Sequence, residues 1–168
     1  MKSLLRTGVL AASTLALGLA FVPVASADPV STVAYTSDDG AWPLKSFANY
    51  SGPGDEIRVW VNEGILKIDV QSGFEDLRVE LSAPAGETLH TGTYTGARFR
   101  WSSDPATANP GFFTVTGGFA CGDDYAEFTI DRLDRAADGK VTDLDATFVQ
   151  HCGTPDGPAT HGEAHFHA

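Results

Sequence analysis

The stretch EIRVWVNEGILKIDVQSGFEDLRVELS, residues 56–82, decides the fold class. Ile57, Val59 and Val61 alternate with Arg58, Trp60 and Asn62. Beyond Glu63-Gly64, Leu66, Ile68 and Val70 alternate with Lys67, Asp69 and Gln71. Leu77, Val79 and Leu81 then alternate with Arg78, Glu80 and Ser82. Successive side chains of an extended strand point to opposite faces, so a period of two marks a strand with one buried face. The Asn62-Glu63-Gly64 turn joins the first two strands as a hairpin.

Outward from this segment, further strands are predicted over 30–36, 88–99, 111–117, 125–131, 141–151 and 159–167. Clusters of glycine, proline and aspartate separate them, as in SDDG, SGPGD, SAPAGE and SSDPATANPG. No window of a dozen residues holds an apolar period of 3.6. About nine short strands at this spacing imply an antiparallel two-sheet sandwich or a squat barrel. Parity predicts a shared core of Val59, Val61, Leu66, Ile68, Val70, Val79, Leu81, Phe128, Ile130, Phe148 and Phe166. No repeat or linker divides residues 28–168, which read as one domain; 28–55 carries the weakest pattern.

Residues 1–27 have the layout of a signal peptide. Lys2 and Arg6 precede an apolar run from Val9 to Val22, Pro23 ends it, and Ala25-Ser26-Ala27 offers a small-residue cleavage site. The run is short for a membrane span. The expectation is a secreted, extracellular chain starting at Asp28, with no membrane association after cleavage. The whole sequence holds 11 basic and 22 acidic residues, and losing Lys2 and Arg6 makes it two units more acidic. Such a charge repels nucleic acid phosphates and anionic membranes, so neither is an expected partner. A monomer with an extracellular glycan, protein or metal ion as ligand is expected. Cys121 and Cys152 are the only cysteines. An isolated pair in an exported chain usually forms a disulfide.

SGPGDEI (51–57), PGFFTVTGGFACG (110–122) and FTIDRLDRAADGKVTDLDATFVQHCGTPDGPATHGEAHF (128–166) together resemble a module of secreted bacterial proteins. Its pattern is an SxPGDxI-like turn, a G-x-G-x-x-C stretch, F-x-Q-H-C, and P-A-x-x-G before a last strand. Phe148, Gln150, His151, Cys152, Pro158, Ala159 and Gly162 fall on the closing part; Thr116 and Ile130 depart from it. The resemblance implies a β-sandwich with a Cys121–Cys152 bridge and carries no activity with it. The expected fold is therefore an antiparallel two-sheet sandwich, Ig-like or jelly-roll-like, with one disulfide.

No catalytic motif emerges: there is no GxSxG elbow, no HExxH helix and no ordered Ser-His-Asp set. An enzyme is not expected. DRAADGKVTDLD (134–145) places acids near calcium-loop positions, but Ala136 stands at position 3, no glutamate closes it, and its flanks alternate like strands. An Asp138-Gly139 hairpin turn accounts for it. Trp60 shares the polar parity of its strand, and Arg98, Arg100 and Trp101 form a basic-aromatic stretch. These four are the candidate ligand-binding residues, because exposed tryptophan can stack on a sugar ring. Burial of both tryptophans under loops or in a core end is the competing explanation.

The C-terminal THGEAHFHA places His161, Glu163, His165 and His167 on one parity and Gly162, Ala164 and Phe166 on the other. Centring the CGTPDGP loop sets Asp145 opposite His165 and Asp143 opposite His167. Histidines at i and i+2 with facing carboxylates are a candidate open site for zinc or copper, using His161, His165, His167, Asp143 and Asp145. No other cofactor is expected. A polar strand face that happens to be rich in histidine explains the same residues and is preferred.

Overall fold

The computed structural model describes residues 30–100 and 109–168. The expected signal peptide and Trp101 lie outside the described residues. Among the described residues eleven strands run in chain order: β1 (Thr32–Ser37), β2 (Phe47–Ser51), β3 (Glu56–Asn62), β4 (Ile65–Ser72), β5 (Glu75–Ser82), β6 (Gly92–Phe99), β7 (Gly111–Thr116), β8 (Phe119–Ala120), β9 (Asp124–Arg135), β10 (Val141–Cys152) and β11 (Ala159–His167). No helix occurs among the described residues. The hairpins of the 56–82 stretch form as the alternation predicts, Val59 facing Ile68 and Ile68 facing Val79. Two short strands, β2 and β8, were not expected. FANYS and FA are too brief to display a period, and pairing with β1 and β7 makes them strands.

Two facing sheets are not what these strands build. All eleven belong to one sheet in the order β2-β1-β11-β10-β9-β6-β7-β5-β4-β3, with β8 beside β7. At one end of that order β3 packs against β2, β10 and β11, so the sheet curls into a nearly closed, barrel-like form. Alternation says which face is buried, and stacking or curling buries that face equally well. Bends decide between them. Here β10 and β9 shift register between Val141 and Asp143 and again between Asp145 and Ala146. β6 shifts between Tyr94 and Ala97, where Gly96 takes a φ of +67°. Bulges and glycine kinks of this kind add local twist and let a sheet close. One neighbour pair, β6 with β7, is parallel rather than antiparallel.

The core follows the parity reading. Val59, Leu66, Ile68, Val70, Val79, Leu81, Phe128, Ile130 and Phe148 are buried together, with Phe112, Leu144 and Tyr94 among their neighbours. Val61 and Phe166 are only partly buried against this cluster. Outside the core, Asp69 accepts from Arg58 at 2.7 Å and Arg78 at 3.0 Å. Glu80 pairs with Lys67 at 3.4 Å and with Arg100. Both carboxylates are buried, and burial on this face is tolerable only because each has two cationic partners. The two cysteines are joined, with Cα atoms 5.8 Å apart.

Candidate functional site

The loop after β1 and the turns after β4 and β7 meet at one end of the curled sheet. They surround an opening of about 500 Å³ lined by Tyr35, Trp42, Lys45, Phe47, Tyr50, Phe74, Glu75, Asp76 and Phe119, among others. Among the described residues the large exposed apolar side chains are Val30, Phe47, Phe74 and Phe119. Three of these four rim this one opening, and Phe74 is as exposed as a free side chain at 108%. Exposed apolar residues scattered singly need no explanation, whereas a cluster marks a contact surface.

Each aromatic is held by an identifiable feature. Phe74 follows Gly73, whose φ of +59° makes the β4–β5 turn and throws the next side chain outward. Phe119 follows Gly117-Gly118, both at positive φ. Its ring meets Trp42 edge-on, centroids 5.3 Å apart at 70°. The Trp42 indole donates to the Ala120 carbonyl at 3.1 Å, and the Lys45 ammonium lies 4.8 Å from the Trp42 ring centroid. The Asp76 carboxylate accepts from the Gly117 amide at 3.1 Å, tying the two turns together.

The inner wall is polar where it must be. Tyr35 and Tyr50 point inward from β1 and β2, with their hydroxyls near enough to influence each other. Burial, then Tyr35 and Glu75, push the Tyr50 phenol up to about 12. Burial, then the Glu75 carboxylate, also raises Tyr35. Both phenols therefore stay neutral and remain hydrogen-bond donors at any physiological pH. The opening thus combines flat aromatic walls, two phenols, and the side chains of Glu75, Asp76 and Lys45. Binding sites commonly sit in the mouths of β-barrels with this mixture of apolar walls and few polar groups.

A second concavity of about 580 Å³ crosses the outer face of β1, β11, β10 and β9. It shares Tyr35 and Phe47 with the mouth, and its outer wall is Ala34, Thr36, Asn49, Thr147 and Val149 with the exposed Glu127, His161 and Glu163. Of its aromatic residues only Phe47 is exposed, since Phe128 and Phe148 are buried in the core and Tyr35 is half-buried. The mouth is the better-built site.

The candidates read from sequence lie elsewhere. Asp145 faces His165 and Asp143 faces His167, the register expected from the centred loop. Each histidine Nδ1 is 2.7 Å from its aspartate Oδ1. His167 first, with Arg132 behind it at 3.2 Å, holds the Asp143 carboxyl below its ordinary range. His161 lies further along β11, opposite Val149. The expected zinc or copper set is accordingly split. Among the described residues no three histidine, cysteine, aspartate or glutamate side chains gather to hold a metal ion. Pairing contributes: the Nδ1 atoms of His165 and His167 are each spent on one carboxylate, and Asp143 also serves Arg132.

Of the basic-aromatic candidates, the described Trp60, Arg98 and Arg100 do not gather at one site either. Trp60 is half-buried on β3 opposite Lys67. Arg98 stacks 3.5 Å from the Tyr125 ring centroid and pairs with Asp123 at 2.8 Å, while Arg100 pairs with Glu80. Sequence reading missed the mouth because its aromatics sit in turns and in 28–55, where no alternation flags them. A signal was nevertheless present: tryptophan and phenylalanine at turn positions, where polar residues are the rule. No family model, curated protein or solved structure matches this chain.

Proposed function

We propose that this protein is a secreted, non-catalytic binding module whose aromatic mouth takes a neutral glycan. The observation that carries the reading is the gathering of Phe47, Phe74 and Phe119, all exposed, around one opening with Trp42 and two neutral phenols. Sugar rings present flat C–H faces edged with hydroxyls. Aromatic walls stack on those faces, and phenol, carboxylate and ammonium groups at the edges satisfy the hydroxyls. A net charge of −11 disfavours polyanionic ligands. The disulfide and the signal-peptide layout of residues 1–27 support an extracellular setting.

Phe74 gives a clean test because it contributes nothing to the core. Phe74→Ala should leave stability within about 0.5 kcal/mol of wild type, as for other exposed positions. Affinity electrophoresis through gels containing neutral plant or bacterial polysaccharides should show wild type retarded. The variant should run at least about tenfold less tightly bound, the usual loss for an aromatic anchor. Equal mobility of both proteins in every gel would contradict the assignment.

A further inference from the structure

Beneath the mouth, the inward face of the sheet carries a buried polar layer. The Ser37 and Thr160 hydroxyls are 2.9 Å apart. Beside them the Gln150 amide Nε2 donates to the Asp124 Oδ1 at 2.8 Å and to the Trp42 carbonyl at 3.1 Å. Asp124 is fully enclosed and Gln150 nearly so. This arrangement leaves two enclosed acceptors without a donor, Asp124 Oδ2 and Gln150 Oε1. The orphaned acceptors belong to a carboxyl and a carboxamide that already share one hydrogen bond, so a single proton between them would satisfy both.

We propose that Asp124, in its protonated form, closes a cyclic acid–amide pair with Gln150 that positions Trp42 in the wall of the mouth. The Asp124 Oδ2–H donates to Gln150 Oε1 while Gln150 Nε2 donates to Asp124 Oδ1. The second Nε2 proton is then fixed on the Trp42 carbonyl. One proton satisfies both orphans, and an unsatisfied buried acceptor is costly enough to hold it there. Loss of that proton places a buried carboxylate against the Gln150 carbonyl oxygen, which drives the amide away and releases Trp42.

The surroundings agree with this direction. Burial, the largest influence, raises the Asp124 carboxyl from 3.8 to about 7; the Gln150 hydrogen bond opposes it, Asp123 adds to it and Arg98 opposes it. Arg98 of β6 is itself neutralised by Asp123 at 2.8 Å. From β10, Asp124 meets the uncharged Gln150 and its register partner Cys152, which is in the disulfide. The loop carrying Trp42 brings Asp38, Asp39 and Lys45, of which Asp38 accepts from the Ala159 amide and Lys45 lies over the Trp42 ring. Because the folded value is the raised one, stability from this pair is complete below about pH 4 and falls as pH climbs to about 7. The inference concerns the Trp42 wall and stands whether or not the mouth takes a glycan.

Asp124→Asn is the informative variant, since a second carboxamide can both donate to Gln150 Oε1 and accept from Nε2, mimicking the protonated acid. Carbon-detected NMR of wild type from pH 4 to pH 9 should show the Asp124 carboxyl titrating within about one unit of 7. The Trp42 indole N–H resonance should shift with the same midpoint. In Asp124→Asn that indole resonance should stay at its low-pH position throughout, and the melting temperature above pH 7 should exceed wild type. An Asp124 carboxyl titrating below pH 5, or a Trp42 resonance indifferent to the Asp124 midpoint, would overturn the proposal. The wild-type titration needs no variant, so failure of Asp124→Asn to fold leaves it decisive. Glycan retention enters none of these readouts, so they fail or succeed separately from the ligand assignment.

Discussion

Truncating Phe148 to alanine is expected to cost about 3–5 kcal/mol, the range for a buried phenylalanine. Its ring is buried and packs on Phe112 with centroids 5.3 Å apart. It also lies over Gly162, its register partner on β11. A Cβ built at Gly162 would overlap the Phe148 ring at three of its carbons. Glycine at 162 is therefore a steric requirement. Gly162→Ala alone is expected to cost about 1–3 kcal/mol through overpacking. In a Phe148→Ala background that cost should largely disappear, because the ring that opposes the methyl is gone. Urea denaturation of the four proteins closes the cycle. Additive losses would mean that the ring and the glycine do not meet, and a Phe148→Ala loss below about 1 kcal/mol would place the ring on the surface.

Removing the Cys121–Cys152 bridge is the other large effect. The two residues are 31 apart in sequence, and closing a loop of that size stabilises by about 3–4 kcal/mol in the chain-entropy account. Cys121 follows directly on β8, and Ala120 of β8 accepts the Trp42 indole hydrogen bond. The bridge thus fixes the segment against which Trp42 and Phe119 pack. A Cys121→Ala, Cys152→Ala double variant should lose this stability in chemical denaturation, with a larger m-value because the denatured chain without the bridge is less compact. Intact wild type should resist free-thiol labelling at both positions. Labelling of native protein, or a loss below about 1 kcal/mol, would contradict the role given to the bridge.

Residues that alternate were readable; residues that bend or sit in turns were not. Ile57 to Leu81 declare their faces because each neighbour differs in polarity, and the Asp143–His167 and Asp145–His165 pairs followed from parity and a centred loop. A squat barrel was one of two forms the strand spacing allowed. Closure could not be chosen over stacking because it rests on register shifts near Ala146 and Gly96, where a single residue is inserted without disturbing the composition. The metal reading failed to gather for a related reason. Strand parity aligned the histidines on one face, but His165 and His167 each turned to its own aspartate and His161 lies opposite Val149, away from both. Asp124 and Gln150 share the inward parity of Phe128 and Phe148, so the alternation marked them as inward-facing. It gave no hint that their oxygens would lack donors.

The claim that the aromatic mouth binds a neutral glycan is tested most directly on a glycan array probed with wild type and a Phe74→Ala, Phe119→Ala double variant. Both side chains are more than half exposed, so the variant should remain folded. Wild type is expected to bind neutral oligosaccharides and to ignore sulfated or uronate-rich ones, with the double variant losing that signal. An empty array for wild type, or binding that survives loss of both phenylalanines, would contradict the account.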